Sequence, residues 1–376
     1  MYFYLIEYKK MKLVRPSYEI FEQGPGLQGI YDIIERCGKT SYKSEVKGGK
    51  TAEKFVKVRA KEGHGAVLEF GTVYLDLRIG SPMYDGEYIS KMDALMFYRK
   101  NHFSKVVEHT ITIDADGFKY PGTIYYITTN YRVLVENNRL DDLKYLCEPT
   151  EYHEKRYAVK FVTDIGLGRD FLRHRVMSMV QESTRYINYN RGKYGHQCCF
   201  VIPPWIGKDV LAEGENVIWW DGDWVDVGET EDDSPTRVPM RIVKYGGKPK
   251  NDRIDQWLLA LNSAENAYNS LTNDWSHIEG IAEDEKKPWI PDQARGVLPL
   301  STKSELVLCG FKDAWIHFFR LRSDIAATGK AHPMSIQLAT PLRDEFVERS
   351  YLTTEDLQHD LFEPFDVAIS DKDLTT

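Results

Sequence analysis

Alternation is the clearest signal along the chain. Across residues 71–79 the apolar Val73, Leu75, Leu77 and Ile79 fall on one face and Thr72, Tyr74, Asp76 and Arg78 on the other, the period of two that a half-buried strand requires. His109-Thr-Ile-Thr-Ile113 and Thr123-Ile-Tyr-Tyr-Ile-Thr128 flank Asp114-Ala-Asp-Gly117 and predict an antiparallel hairpin turning on Asp-Gly. Residues 157–165 read as another strand, and 305–309 as an apolar strand that Gly310 interrupts. Helical spacing is expected over 18–62, where Ile30, Ile33 and Ile34 precede a stop at Cys37-Gly38, and over 130–146, 168–182 and 312–322. It is plainest over 252–271, where Ile254, Trp257, Leu258, Leu261, Ala264, Ala267, Tyr268 and Leu271 make one stripe. Antiparallel strands with interspersed helices predict the α+β class, an antiparallel or mixed sheet flanked by helices.

Composition narrows the functions open to such a fold. The 376 residues carry 49 Lys and Arg against 57 Asp and Glu, a net charge of −8. That balance argues against a broad basic surface for nucleic acid, while leaving room for local arginine clusters that hold small anions. Apolar stretches fall short of the ~20 residues of a membrane span. The N-terminus has apolar residues before its charges, the reverse of a secretory signal, so a cytoplasmic protein is expected, with Met11 a second possible start. Five cysteines without C-x-x-C spacing indicate neither a disulfide framework nor a metal site, and Cys198-Cys199 are expected to be buried thiols. Residues 207–236 hold ten acidic side chains and one Lys, together with Trp219, Trp220 and Trp224. This reads as a solvated insertion, part of which the tryptophans pack.

The chemistry concentrates in Arg173-His174-Arg175-Val-Met-Ser178-Met-Val-Gln181-Glu182-Ser183-Thr184-Arg185-Tyr186. On the predicted helix, consecutive side chains diverge by ~100°, so Arg173, His174 and Arg175 must serve different neighbours. Flanked by buried residue types, they call for anionic partners or a subunit interface.

This spacing resembles the signature of the flavin-dependent thymidylate synthases. Three further blocks follow that family's order: Gly63-His64-Gly-Ala-Val-Leu-Glu69, with Phe70 where a His is usual; Gln293-Ala294-Arg295-Gly-Val-Leu-Pro-Leu300; and Phe318-Phe319-Arg320-Leu321-Arg322. The resemblance covers residues 12–79, 157–205 and 250–345. It implies one domain over residues 1–376, with large insertions at about 80–156 and 206–250 and a loose tail from about 353.

The resemblance also implies an enzyme that converts dUMP to dTMP with 5,10-methylenetetrahydrofolate as carbon donor, FAD as redox carrier and NADPH as reductant. It implies a homotetramer with shared active sites, and no metal. Arg322 takes the ring-activating, catalytic position. Arg173, Gln181, Glu182, Ser183, Arg185, Arg295 and Arg322 fall on the dUMP side. His64, Arg173, His174, Arg175, Gln181, His317 and His332 fall on the FAD side. Competing readings are a structural ion pair for Arg295, a core histidine for His64 and a helix cap for Ser183. Asp170, Val180 and Phe311 depart from the family pattern. They leave open a relative that delivers a hydroxymethyl group to dUMP, beside a non-catalytic flavin- or nucleotide-binding protein.

Overall fold

A computed structural model describes residues 12–358 except 42, 81–84, 116–117, 192–196, 212–216, 221–224, 230–234, 239–240, 246–247, 250, 276–279, 281, 283–285 and 327–330. The chain divides into two compact units, Met1–Phe311 and Lys312–Thr376.

The first unit opens with β1 (Lys12–Val14), β2 (Ser17–Phe21), α1 (Gly26–Thr40), α2 (Gly49–Lys61), the short α3 (Gly65–Leu68) and β3 (Thr72–Ile79). It continues through α4 (Tyr88–Lys100), β4 (Lys105–Ala115), β5 (Phe118–Asn130) and α5 (Tyr131–Glu136), then β6 (Arg156–Asp164), α6 (Ile165–Phe171), β7 (Ser178–Gln181) and β8 (Cys199–Val201). β9 (Val217–Trp220), β10 (Val225–Glu229), β11 (Pro235–Val238), β12 (Arg241–Tyr245) and β13 (Lys248–Pro249) occupy the acidic segment, ahead of α7 (Asp252–Thr272), α8 (Pro291–Ala294) and β14 (Lys303–Phe311). The principal sheets are an antiparallel four-stranded β2-β6-β14-β7 and an antiparallel three-stranded β3-β5-β4, while β1 and β8 pair in parallel. The α+β expectation therefore holds.

Residues 18–62 are not one helical stretch. The period-two Ser17–Phe21 adds an edge strand to β6, and the left-handed Gly48 and Gly49 separate α1 from α2. α1 lies between two apolar clusters: Ile30 and Ile34 pack with Val73, Leu75, Leu77 and Ile79 of β3, whereas Ile33 and Cys37 pack with Phe21, Phe70 and Val307. Gly71 is required here, because a Cβ on it would sit 2.6 Å from Ile34 Cδ1. β3 also buries Thr72 and Tyr74 from its polar face, Tyr74 meeting the His153 ring edge-on at 5.2 Å. The hairpin forms as predicted, closing at Ala115 opposite Phe118; its Asp116-Gly117 tip lies outside the described residues. The expected helix over 130–146 is α5, capped by Asn130 Oδ1 accepting from the Val133 N–H at 3.2 Å, and a separate 3₁₀ turn, Leu140–Tyr145.

The largest revision concerns 168–182. Asp164 Oδ1 accepts from the Leu167 N–H at 2.6 Å and starts α6 early, and the helix ends at Phe171. Residues 172–177 turn, and Ser178–Gln181 then pairs with β14, Ser178 opposite Cys309 and Val180 opposite Val307. The alternating Ser-Met-Val-Gln run completes an open sheet edge, and that tertiary pairing overrides the helical spacing. β14 in turn runs unbroken through Gly310, which faces Tyr157.

α7 forms over the predicted range. Its Leu258, Leu261 and Tyr268 bury with Ile187, Tyr189, Cys198, Phe200 and Ala294 in a third cluster. Cys198 and Cys199 are buried free thiols as expected, and burial pushes the Cys199 thiol up to about 11. In the acidic segment the backbone forms a β13-β12-β9 sheet and a β10-β11 pair; the expected packing of Trp219, Trp220 and Trp224 concerns side chains outside the described ones. Met11 and residues 359–376 also lie outside the described residues. No helix among the described residues is long and apolar enough to cross a membrane.

The second unit contains α9 (Lys312–Arg322), α10 (Pro333–Glu348) and α11 (Thr354–Gln358). Trp315, Phe318, Phe319 and Phe346 are buried, with ring centroids 5.2–5.8 Å apart in edge-on and tilted pairs that join α9 to α10. Arg320 donates to the Asp356 and Leu357 carbonyls, tying α11 to α9.

Candidate active site

The Arg-His-Arg run occupies the turn between α6 and β7, not a helix face. The backbone folds through His174 N–H to the Phe171 carbonyl (3.2 Å) and Met177 N–H to the His174 carbonyl (3.0 Å). In that turn His174 is buried while Arg173, Arg175 and Val176 face solvent. Divergence of three consecutive side chains follows from the turn, with no helix needed. Asp170 lies 3.4 Å from the Arg173 guanidinium, so the carboxylate that departs from the family pattern is paired within its own turn.

Gln181 and Glu182, expected to face ligand, are held by the protein. Gln181 Nε2 donates to Ser304 Oγ at 3.0 Å. Glu182 is sealed from solvent: Tyr189 Oη donates to it at 2.9 Å, and Lys43 Nζ and Lys303 Nζ lie 3.1 and 3.2 Å from its two oxygens. Lys303 also contacts Glu305, whose other oxygen is 2.5 Å from Lys160 Nζ. Burial pushes the Glu305 carboxyl up, but Lys303 and Lys160 outweigh it and bring it down to about 2. Burial lowers Lys43 despite Glu182, whereas the two carboxylates raise Lys303 against its own burial. Charges this enclosed are tolerated only when each has its partners. The network fixes the chain just before Ser183, whose N–H donates to the Ser41 carbonyl at 3.1 Å.

Arg185 leaves this anchored base toward solvent. Ile187 and Tyr189 enter the third apolar cluster on one side and Ala294 of α8 on another, with the Tyr268 hydroxyl donating to the Ile187 carbonyl at 3.3 Å. Arg185 and Arg295, 110 positions apart, thereby come to one place. Arg185 Nε donates to Asp292 Oδ1 at 3.2 Å, and Arg295 Nη2 lies 3.0 Å from the same oxygen. Ser183 Oγ, alongside, accepts from the Arg185 N–H at 3.3 Å. Two guanidiniums with donors to spare and an adjacent hydroxyl have the chemistry to take up an anion such as a phosphomonoester.

His64 is half-exposed before α3, which packs near β7. Arg59 Nη1 lies 3.1 Å from its Nδ1; a guanidinium only donates, so in the neutral ring Nδ1 accepts and the proton sits on Nε2. Glu69 pairs with Arg132 at 2.6 Å, beside a cavity of about 290 Å³ lined also by Asn101, Phe103 and Asn130. Phe70 is 1% exposed and is part of the core. The other departures are likewise occupied: Val180 packs against the cluster around Phe70, and Lys105 and Arg156 lie over the Phe311 ring at 4.7 and 5.7 Å.

In the second unit, Arg322 ends α9, its carbonyl accepting from Ser335 Oγ at 2.9 Å. His317 lies partly exposed on the same helix. His332 caps α10, Nδ1 accepting from the Met334 N–H at 3.3 Å. Among the described residues no group of His, Cys, Asp or Glu is arranged to hold a metal ion. Sequence reasoning missed Asp292, Lys43, Lys303 and Tyr189. Only Asp292 had a local signal, Pro291-Asp-Gln-Ala-Arg295, in which Pro starts a helical turn and the i, i+3 spacing aligns carboxylate with guanidinium.

Residues 151–346, just over half of the chain, match the family described as thymidylate synthase complementing protein. The chain belongs to that family, as its four sequence blocks implied. No curated protein matches it. Two solved structures align along most of its length. A UMP/dUMP methylase, PolB, from Streptomyces cacaoi bound with 5-Br dUMP is 14% identical, over 90% of this chain and 93% of that one, with a TM-score of 0.35. Thymidylate Synthase X from Helicobacter pylori with FAD and dUMP is 13% identical, over 92% and 100%, with a TM-score of 0.31. At these scores neither likeness adds to the assignment, which rests on the family match.

Proposed function

We infer that the chain is a flavin-dependent thymidylate synthase, making dTMP from dUMP with 5,10-methylenetetrahydrofolate as carbon donor and NADPH as reductant. One observation carries this reading beyond family membership: Arg185 and Arg295, from separate elements, meet at Asp292 Oδ1 beside Ser183. A phosphomonoester dianion suits that pair, since each guanidinium presents five donors in a planar fork. The Glu182 network holds the loop that carries Arg185, so Glu182 acts through Arg185 and Ser183 and does not itself touch nucleotide.

The flavin side needs donors for an anionic, solvent-facing cofactor. Arg173 and Arg175 are exposed on the turn before β7, and His64 presents Nε2–H near α3, which fits FAD. FAD, when bound, supplies the hydride chemistry; the side chains named here bind, orient and polarise. Arg322 is assigned to the uracil ring, where a permanently charged guanidinium stabilises negative charge developing on N3 and O4. Val176 and Tyr186 are 76% and 62% exposed within the signature segment. Apolar exposure there supports a homotetramer in which a neighbouring subunit covers the turn. The reading places the enzyme in the cytoplasm.

Purified protein incubated with dUMP, methylenetetrahydrofolate, FAD and NADPH should yield a product with the mass of dTMP. A hydroxymethylated nucleotide would instead establish the sister activity, and a preparation that neither takes up FAD nor oxidises NADPH would leave only a binding role.

A further inference from the structure

Asp292 stands at the centre of the phosphate seat, and its place there is informative. One oxygen, Oδ1, serves both Arg185 Nε (3.2 Å) and Arg295 Nη2 (3.0 Å). Among the described residues no other carboxylate pairs with either guanidinium. The geometry points to Asp292 as a built-in counter-anion. Its carboxylate occupies the position of a substrate phosphate, keeps the two guanidiniums side by side, and gives way to an anion of higher charge. The anion chemistry stands on these contacts; only the naming of dUMP as its carrier rests on the proposed function.

Three observations separate this role from that of a fold staple. The side chains of Arg185, Arg295 and Asp292 are 55%, 44% and 32% exposed, and ion pairs at such exposure add little to stability. The elements that carry the pair are fixed without it, through Ile187, Tyr189 and Ala294 in the third apolar cluster. A single carboxylate oxygen leaves most of the guanidinium donors unused, enough for the oxygens of a phosphomonoester. Charge sets the direction of exchange. With Asp292 the cluster sums to +1 and without it to +2, so a monoanion gains little by replacing the carboxylate whereas a dianion gains from both guanidiniums. Asp292 is thus a positioning residue that tunes the seat toward doubly charged phosphomonoesters. It does so at a cost in affinity that its removal should reveal.

The test titrates the purified full-length protein with inorganic phosphate at pH 8, and separately with dUMP, at two salt concentrations. Asp292→Asn should bind phosphate about tenfold more tightly than wild type, as one charge in a half-exposed cluster implies, with a steeper loss of affinity as salt rises. Asp292→Glu, which keeps the charge, should bind phosphate within about twofold of wild type, judged by the same charge count. Asp292→Ser removes the charge by a second route and should repeat the gain if the Asn variant folds poorly. Unchanged or weaker phosphate binding in a folded, charge-free variant overturns the proposal, since a staple would lose affinity on removal. A gain for phosphate in protein that does not bind dUMP would sink the nucleotide reading and leave the counter-anion standing. Thymidylate synthesis with no gain for phosphate would do the reverse.

Discussion

Two carboxylates near the signature loop invite comparison. Glu182 lies at the start of the loop, its side chain fully buried and engaged by Lys43, Lys303 and Tyr189. Asp292 lies beside Arg185 of the loop, about one-third exposed and shared by Arg185 and Arg295. Both bridge two cations, yet burial gives them opposite roles. A sealed carboxylate cannot lose its partners without leaving uncompensated charge in a low-dielectric interior, so it fixes geometry. A partly exposed one is solvated whether or not its partners stay, so it can be exchanged for a ligand. The loop is anchored at its buried carboxylate and adjustable at its exposed one, the arrangement expected of a seat that must be ready before its anion arrives.

The comparison can be broken in order of expected effect. Glu182→Ala should be the most costly, about 3–5 kcal/mol of stability, because it strands Lys43 and leaves Lys303 with Glu305 alone; thermal or denaturant unfolding measures it, and a loss below 1 kcal/mol would show that the network is not the anchor. Arg295→Ala should leave folding nearly intact while raising KM for dUMP about a hundredfold, the scale of one charge-assisted phosphate contact pair, with steady-state kinetics as the check. Acid should act through the buried side. Glu305 is held near 2 against an ordinary 4.5, so its stabilisation is complete above the ordinary value and is lost as pH falls from there toward 2. Glu305→Gln should flatten that part of the stability profile. Asp170→Asn should cost least, below about 1 kcal/mol for a largely exposed pair, with a modest change in FAD affinity as the sensitive readout.

The sequence made the elements legible where pattern and environment agree. β3 and α7 follow their periods because Val73, Leu75, Leu77 and Ile79, and Leu258, Leu261 and Tyr268, are the positions each buries in its apolar cluster, and the hairpin closes where predicted, at Ala115 opposite Phe118. The segment after α6 defied its helical spacing because β14 offered a free edge to Ser178–Gln181, a tertiary fact with no local trace. The four motif blocks gave the family, and they contain both arginines that meet at Asp292. They gave no sign of the contacts that hold the loop: Gln181 and Glu182, close to Ser183 in sequence, bond to Ser304 and Tyr189 within the protein. The roles of Lys43 and Lys303 at Glu182 lay beyond sequence reasoning because each is more than 100 positions from that carboxylate.

The mass of the product formed from dUMP tests the central claim most directly, with wild type and Arg322→Ala assayed side by side under FAD, NADPH and methylenetetrahydrofolate. The account predicts dTMP from the wild type and a loss of several orders of magnitude in the variant. No dTMP from folded, flavin-loaded wild type, or equal yields from both proteins, would contradict it.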